Sequence, residues 1–177
     1  MTPLPIDPST APTPASIRKN GRRLALAWSA TSAMSNKPAM LRLAFASDDR
    51  ATVNQHFGAA VGFAIHAFDG ERWQLVELAE FPPETMDGNE NKLLAKIAAL
   101  AGCAAVYCLA AGGSAVKQLL AAGVQPVRLD DETPIDALLK QVSAAIRDGG
   151  IPWVDKALRA GGDAARFERM ATEAWEE

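Results

Sequence analysis

The sequence predicts an α/β fold in which helices flank a mixed, five-stranded sheet. Two apolar runs joined by Asp69-Gly70 indicate a β-hairpin, because both turn residues tolerate positive φ. The next two apolar runs alternate with helical stretches, a pattern typical of β–α–β units. The chain has 177 residues, of which 49% are hydrophobic, so it is long enough to bury a core.

Short apolar segments are the predicted strands. The first contains one charge, Arg42, and is typical of a buried strand. The last contains Pro126, which favours an edge position because proline donates no ladder hydrogen bond. The predicted strands are residues 41–46, 63–68, 73–78, 104–109 and 124–129.

Three segments with apolar residues at helical spacing are the predicted helices of the main domain, which we place at residues 40–150. The first covers residues 89–101, with Asn89 or Asn91 as its cap. The second runs from Ser114 to Ala121, and the third begins at Pro134. Asp131 or Thr133 is the predicted cap of the third. The predicted apolar stripes are Leu93, Leu94, Ile97, Ala98 and Ala101 in the first helix, and Ile135, Leu138, Leu139, Val142 and Ile146 in the third.

The two ends of the chain are predicted to lie outside this domain. Residues 1–39 are expected to be a disordered tail, since five prolines fall within the first 16 residues. Their basic run at 18–23 is interpreted as a solvated face; it precedes an apolar stretch, but polar residues interrupt that stretch and we do not expect export. Residues 151–177 are predicted to be an appendix of two short helices, split at Gly161-Gly162 and docked on the body through a face around Phe167.

Composition argues against several classes of function. The net charge of -3 gives no basic excess to attract nucleic acid. No apolar run approaches the ~20 residues of a membrane helix. The presence of only two cysteines argues against a disulfide framework, so we expect a reduced, cytoplasmic setting.

The loop after the first strand contains the segment Val53-Asn54-Gln55-His56-Phe57-Gly58. Two readings of His56 stay open: it hydrogen-bonds its own loop, or it is a single soft-metal ligand that binds iron through one imidazole nitrogen. One labile ligand suits a protein that must release its load. Gly58 would let the backbone approach that load closely.

A second feature is Gly112-Gly113-Ser114, which opens a predicted helix. Free N–H groups at a helix start form an anion site, although an ordinary βα turn has the same sequence. If the first strand and the 104–109 strand are parallel neighbours, this turn and His56 lie at the same sheet edge. Cys108 could add a thiolate there, or it is a small core residue like Cys103.

The motifs of common enzymes are missing from the sequence. It contains no G-x-x-x-x-G-K-[ST], no G-x-G-x-x-G and no C-x-x-C. Asp48 and Asp49 follow the first strand and raise the alternative of a metal-dependent nuclease. Loop capping is the simpler role for these two carboxylates.

Residues 41–129 resemble the NifX family, the dinitrogenase iron–molybdenum cofactor biosynthesis domain. The resemblance rests on a similar C-terminal region, around Trp153 and over residues 167–175, and on five segments: Ala44-Phe45-Ala46-Ser47-Asp48-Asp49, Val53-Asn54-Gln55-His56-Phe57-Gly58, Cys103-Ala104-Ala105-Val106-Tyr107-Cys108, Gly113-Ser114-Ala115-Val116-Lys117-Gln118-Leu119-Leu120 and Gly123-Val124-Gln125-Pro126-Val127. It implies a ribonuclease H-like fold without nuclease chemistry.

The resemblance also implies a function. It implies a protein that is not an enzyme and that binds, stores and transfers an iron–sulfur precursor of the iron–molybdenum cofactor as transient cargo. Its partners would be the scaffold and cluster-donor proteins of nitrogenase cofactor assembly. The family's ligand position falls on His56, within the motif that also includes Asn54 and Gln55. Some members have a cysteine where this chain has Ala110-Ala111-Gly112. The alternative is a docking module for assembly proteins that holds no ligand.

Overall fold

The computed structural model describes residues 22–25, 41–82 and 90–173. Its main sheet has the strand order β1-β5-β4-β2-β6-β7. The strands of this sheet are β1 (Arg22–Ala25), β2 (Leu41–Ala46), β4 (Gly62–Phe68), β5 (Trp73–Glu80), β6 (Ala105–Cys108) and β7 (Gln125–Arg128). A separate pair is formed by β3 (Thr52–Val53) and β8 (Thr133–Pro134).

The five predicted strands are confirmed and form a mixed sheet. β4 and β5 are the predicted hairpin, and Gly70 in its turn has φ 98. β2 pairs antiparallel with β4 and parallel with β6, and β6 pairs parallel with β7. β7, which contains Pro126, lies at the edge as predicted.

A sixth strand, β1, extends the sheet beyond β5. It pairs antiparallel with β5, from Arg22 opposite Glu80 to Ala25 opposite Glu77. The prediction of a disordered tail over residues 1–39 is therefore wrong for these four residues. Their pairing is set by the open edge of β5, a non-local partner that the composition of the tail cannot show. The predictions for the rest of that tail lie outside the described residues.

Helices cover both faces of the sheet. On one face lie α1 (Glu90–Ala99) and α2 (Gly113–Ala121), where Leu100, directly after α1, and Leu119 of α2 are buried in one cluster with Phe63 and Val106. On the other, α3 (Ile135–Asp148) and the start of α4 (Pro152–Glu173) bury Val142 and Val154. Val154 is fully buried, so α4 begins within the core of the domain. Among the helices that the structure describes, none has the length and apolar character needed to span a bilayer.

Four details of the helices differ from the sequence predictions. The buried side of α1 is shifted: Leu94 is 55% exposed and Lys96 is buried instead. Asn91 lies inside α1 and is not its cap, while Asn89 falls outside the described residues. Neither Asp131 nor Thr133 caps α3, because Thr133 pairs in β8 and the Ile135 N–H donates to Ala51 O at 2.8 Å.

The fourth difference is in α4, a continuous helix through Gly161 and Gly162. The prediction of two short helices is therefore wrong. A glycine in a helix costs only about 1 kcal/mol relative to alanine, which 22 helical residues can offset. The predicted apolar face around Phe167 lies outside the described side chains.

Candidate functional site

Two loops meet at the carboxyl edge of the parallel strands. The register of β2 and β6 runs from Leu43 opposite Ala105 to Phe45 opposite Tyr107, so both strands end at the same edge. The loop after β2 extends over residues 47–61, and the turn after β6 over residues 109–112. The predicted juxtaposition of these loops is confirmed by two backbone bonds, in which Phe57 N donates to Ala110 O (2.8 Å) and Leu109 N donates to Gln55 O (3.0 Å).

Asp49 closes the first turn of the β2 loop. Its Oδ1 accepts hydrogen bonds from the backbone N–H groups of Ala51 and Thr52, both at 2.8 Å, and from Ser47 Oγ at 2.9 Å. These donors, led by the Ala51 N–H, lower the pKa of Asp49 to about 2. Asp49 Oδ1 is therefore engaged in shaping its own loop, which agrees with the loop-capping role.

Asn54 and Gln55, the predicted cargo-binding amides, also shape the loop. Asn54 Nδ2 donates to Asp48 Oδ1 at 2.6 Å, and Asn54 Oδ1 accepts from the Asp48 N–H at 3.3 Å. Gln55 Oε1 accepts from the Val61 N–H at 2.9 Å. Both side chains therefore stabilise the conformation of the loop that carries His56.

The side chain of His56 is exposed. The neighbouring Phe57 is fully buried, with its ring 5.4 Å from that of Phe63. Phe57 anchors the loop in the core, while the backbone bond to Ala110 fixes its distance from the β6 turn. An exposed imidazole on a loop held in this way can bind a soft metal ion without unfolding anything.

Gly112, Gly113 and Ser114 are exposed at the start of α2. Gly112 is the N-cap, with φ -66 and ψ 154, and Val116 N donates to its carbonyl at 3.0 Å. The backbone N–H groups of the first turn before Val116 have no partner within the helix, and the helix dipole adds positive potential there. This geometry fits an anionic ligand, which is one of the two interpretations that the sequence left open for this turn.

The glycines near His56 are not required by the backbone. A Cβ added to Gly58, Gly112 or Gly113 would meet nothing within 4 Å, and none of the three has a positive φ. Gly62 differs, since a Cβ there would lie 2.9 Å from Ser47 O. The open space over the first three glycines is therefore available to a bound molecule.

Cys108 does not reach this surface. It is 1% exposed within the core that α1 and α2 cover. Burial raises the pKa of its thiol to about 11, against a smaller opposing effect of the Phe57 N–H. Because the Cys108 side chain is enclosed in the core, its sulfur is not accessible to a ligand bound at the open edge beside His56. Among the described residues, no group of three or more histidine, cysteine, aspartate and glutamate side chains could hold a metal ion.

The second histidine, His66, lies away from the loop in β4. It packs edge-on against Phe45 with ring centroids 5.5 Å apart. Burial lowers the pKa of His66, and the charge of Asp136 opposes this shift. These contacts give His66 a packing role within the sheet.

Comparison with known proteins identifies the family of this chain. A family model described as dinitrogenase iron-molybdenum cofactor matches residues 40–145. The NifX protein of Azotobacter vinelandii is 46% identical over 140 residues, covering 78% of this chain and 89% of that protein. The chain belongs to the NifX family. The NifX protein of Rhodobacter capsulatus is 32% identical, covering 77% of this chain and 88% of the relative.

NifX membership supports a role in the biosynthesis of the nitrogenase cofactor. A more distant relative, the NifY protein of Klebsiella pneumoniae, is 28% identical over 118 residues, which cover 67% of this chain and 51% of that protein. The family match at residues 40–145 includes the β2 loop and the β6 turn.

One residue near the site escaped the sequence analysis. Lys96 of α1 is 1% exposed, and its Nζ donates a hydrogen bond to Gly58 O in the His56 loop. The sequence contained a signal for its burial. Lys96 follows Leu93 by three residues and precedes Leu100 by four, a spacing that places it on the same side as these apolar residues.

A cavity of about 440 Å³ lies at the opposite end of the sheet. Leu41, Cys103 and Trp153 line its apolar part, and Arg42 and Lys156 lie at its rim. It is remote from His56, since Leu41 begins β2 and Ala104 directly precedes β6, at the amino ends of these two strands. The candidate ligand chemistry is thus on an open edge and not in this cavity.

Proposed function

We propose that this protein binds an iron–sulfur precursor of the iron–molybdenum cofactor, holds it transiently and passes it on, acting as a carrier and not as an enzyme. The observation that carries the proposal is an exposed imidazole, His56, on a loop that is hydrogen-bonded to the turn opening α2. Membership in the NifX family supports the choice of cargo.

The chemistry of the edge fits such a cargo in two ways. Neutral imidazole is a suitable iron ligand. Sulfide-rich clusters are anionic and accept hydrogen bonds, which the free N–H groups at Gly113 and Ser114 can donate. The space over Gly112 and Gly113 admits a ligand close to the backbone.

A single side-chain ligand also fits transfer. Few bonds to the protein need to break when the cluster leaves, and an open edge lets an acceptor approach while the cluster is still bound. We propose that scaffold and cluster-donor proteins of nitrogenase cofactor assembly are the partners, and that the exchange takes place in the cytoplasm. The ribonuclease H-like assignment belongs to the same proposal; it is supported by the mixed sheet, in which a hairpin precedes two parallel strands.

Anaerobic gel filtration tests the proposal. The full chain is mixed with isolated cofactor precursor, and iron is counted in the protein peak for wild type, His56→Ala and the control His66→Leu. We expect iron to co-elute with wild type and His66→Leu and to be depleted with His56→Ala. Absence of iron from the wild-type peak would overturn the carrier proposal and favour the alternative, in which the protein is a docking module without a ligand.

A further inference from the structure

Lys96 is an unusual residue for the inner side of a helix. It is 1% exposed, among the apolar residues that α1 packs against the sheet. Burying a lysine carries a large desolvation cost, so a buried lysine is retained where its head makes specific contacts. The contacts of its amino group therefore indicate what this side chain does.

One of these contacts is to the His56 loop. Lys96 Nζ donates to the carbonyl oxygen of Gly58, two residues beyond His56. The same nitrogen lies 5.9 Å from the centroid of the Phe81 ring, within reach of a cation–π interaction. Phe81 is itself fixed, because its N–H donates to Val61 O at 2.8 Å.

The loop has a specific need for this bond. Gly58 and Ala59 are exposed and bring no large side chain to the core, while Phe57 before them and Ala60 after them are fully buried. A turn bond, in which Ala60 N donates to Phe57 O at 3.4 Å, closes the backbone between these two anchors, and the hydrogen bond from Lys96 of α1 holds the Gly58 carbonyl within that turn. The bond thus limits how far the His56–Gly58 segment can tilt relative to the β6 turn.

We infer that Lys96 is a positioning residue for cargo binding: it fixes the Gly58 carbonyl and through it the direction of the His56 imidazole. The effect of Lys96 on cargo binding rests on the proposed function. The anchoring of the loop does not, and it can be measured in the chain without cargo. Its effect on the cargo passes through His56, and the loss of Lys96 should not add to the loss of His56.

A double-mutant cycle tests this dependence. The probe is a synthetic [4Fe–4S] cluster with small thiolate ligands, added anaerobically to the full chain. Lys96→Met, which keeps an apolar side chain of similar length, is expected to weaken binding about tenfold, in line with the loss of a hydrogen bond from a charged donor. Lys96→Arg should restore binding in part, and Lys140→Met, an equal charge change at an exposed site on α3, should leave it unchanged.

The cycle is completed with His56→Ala. We expect Lys96→Met to lower cluster affinity little further when His56 is already replaced by alanine. An equal loss of cluster affinity on introducing Lys96→Met into the wild type and into His56→Ala would overturn the positioning role. Wild-type affinity in Lys96→Met alone would also overturn it. A wild-type chain that binds no cluster would instead contradict the proposed function.

The loop itself is tested without any cluster. Hydrogen exchange at the amides of Phe57 and Val61 should accelerate in Lys96→Met, while exchange in β2 and β6 stays at the wild-type rate. Unchanged exchange at Phe57 and Val61 would refute the anchoring role whatever the cluster experiment shows.

Discussion

Glycines border helix α2 at both of its ends, but for different physical reasons. At its C-terminal end, before β7, Gly123 has φ +78, a conformation that other residues adopt only with strain. At its N-terminal end, after β6, Gly112 and Gly113 have neither a positive φ nor a neighbour that a Cβ would touch. Gly123 is thus required by the conformation of its turn, whereas neither a positive φ nor a close contact requires glycine at positions 112 and 113.

The same contrast holds for the two ends of the sheet. The amino end of β2 and β6 has a cavity of about 440 Å³ with apolar lining, and Gly102 with φ +81 precedes β6 there. The carboxyl end has open space, an exposed imidazole and unbonded helix N–H groups. For a large anionic cargo that must be handed on, an open edge with few ligands is a better design than an enclosing pocket.

The largest effect should come from the imidazole. His56→Ala is expected to weaken cluster binding at least about 100-fold, since losing even an outer partner of a metal ligand costs roughly 10–100-fold. Its side chain is exposed, so the urea midpoint should stay within experimental error of wild type. Titration of the synthetic [4Fe–4S] cluster checks the affinity, and wild-type affinity in this variant would remove His56 from the site.

A matched pair of glycine variants tests the two ends of α2. Gly113→Ala should lower cluster affinity about tenfold by filling the space above the helix start, and should stabilise the fold by about 0.5–1 kcal/mol. Gly123→Ala should leave affinity unchanged and destabilise the fold by about 1–2 kcal/mol, the cost of a left-handed conformation. Both effects are read from urea unfolding and cluster titration of the same samples. The reverse pattern, with affinity lost only in Gly123→Ala, would contradict the assignment of the site.

Cys108→Ala separates a ligand from a core residue. The variant should bind cluster as wild type does, because the thiol is enclosed and its pKa is raised to about 11 by burial. Removing the sulfur from the packed core should destabilise the fold by about 1 kcal/mol. Iron analysis and urea unfolding measure the two quantities, and a loss of iron with an intact fold would return Cys108 to the ligand set.

The smallest effect concerns the other histidine. Because burial lowers the pKa of His66 in the fold, the unfolded chain binds the proton more readily. The stability from neutral His66 is fully present above its ordinary value near 6.5 and is lost as the pH falls below it. His66→Leu should flatten the pH dependence of the urea midpoint between pH 7 and 5, whereas an unchanged slope would mean that another group titrates there.

The sequence was informative where one local pattern determined the structure. The Asp69-Gly70 turn and the apolar runs predicted the five strands, and the stripe from Ile135 to Val142 predicted the buried side of α3. Parallel pairing of β2 and β6 was enough to place the His56 loop beside the Gly112 turn.

The features that could not be predicted depend on distant partners. β1 forms because β5, more than 45 residues later, offers an open edge. Asn54 and Gln55 were predicted to bind cargo, but their hydrogen bonds to Asp48 and Val61 depend on the path of the loop, which no pattern encodes. The burial of Lys96 likewise follows from the tertiary position of Gly58.

Pulsed EPR of the reduced, cluster-loaded chain with ¹⁵N-labelled histidine tests the central claim most directly. The sequence contains two histidines, so the source of any nitrogen coupling can be assigned with two variants. We predict a ¹⁵N coupling that persists in His66→Leu and disappears in His56→Ala. A cluster bound without any histidine nitrogen coupling, or a coupling that survives in His56→Ala, would contradict the claim that His56 holds the cargo.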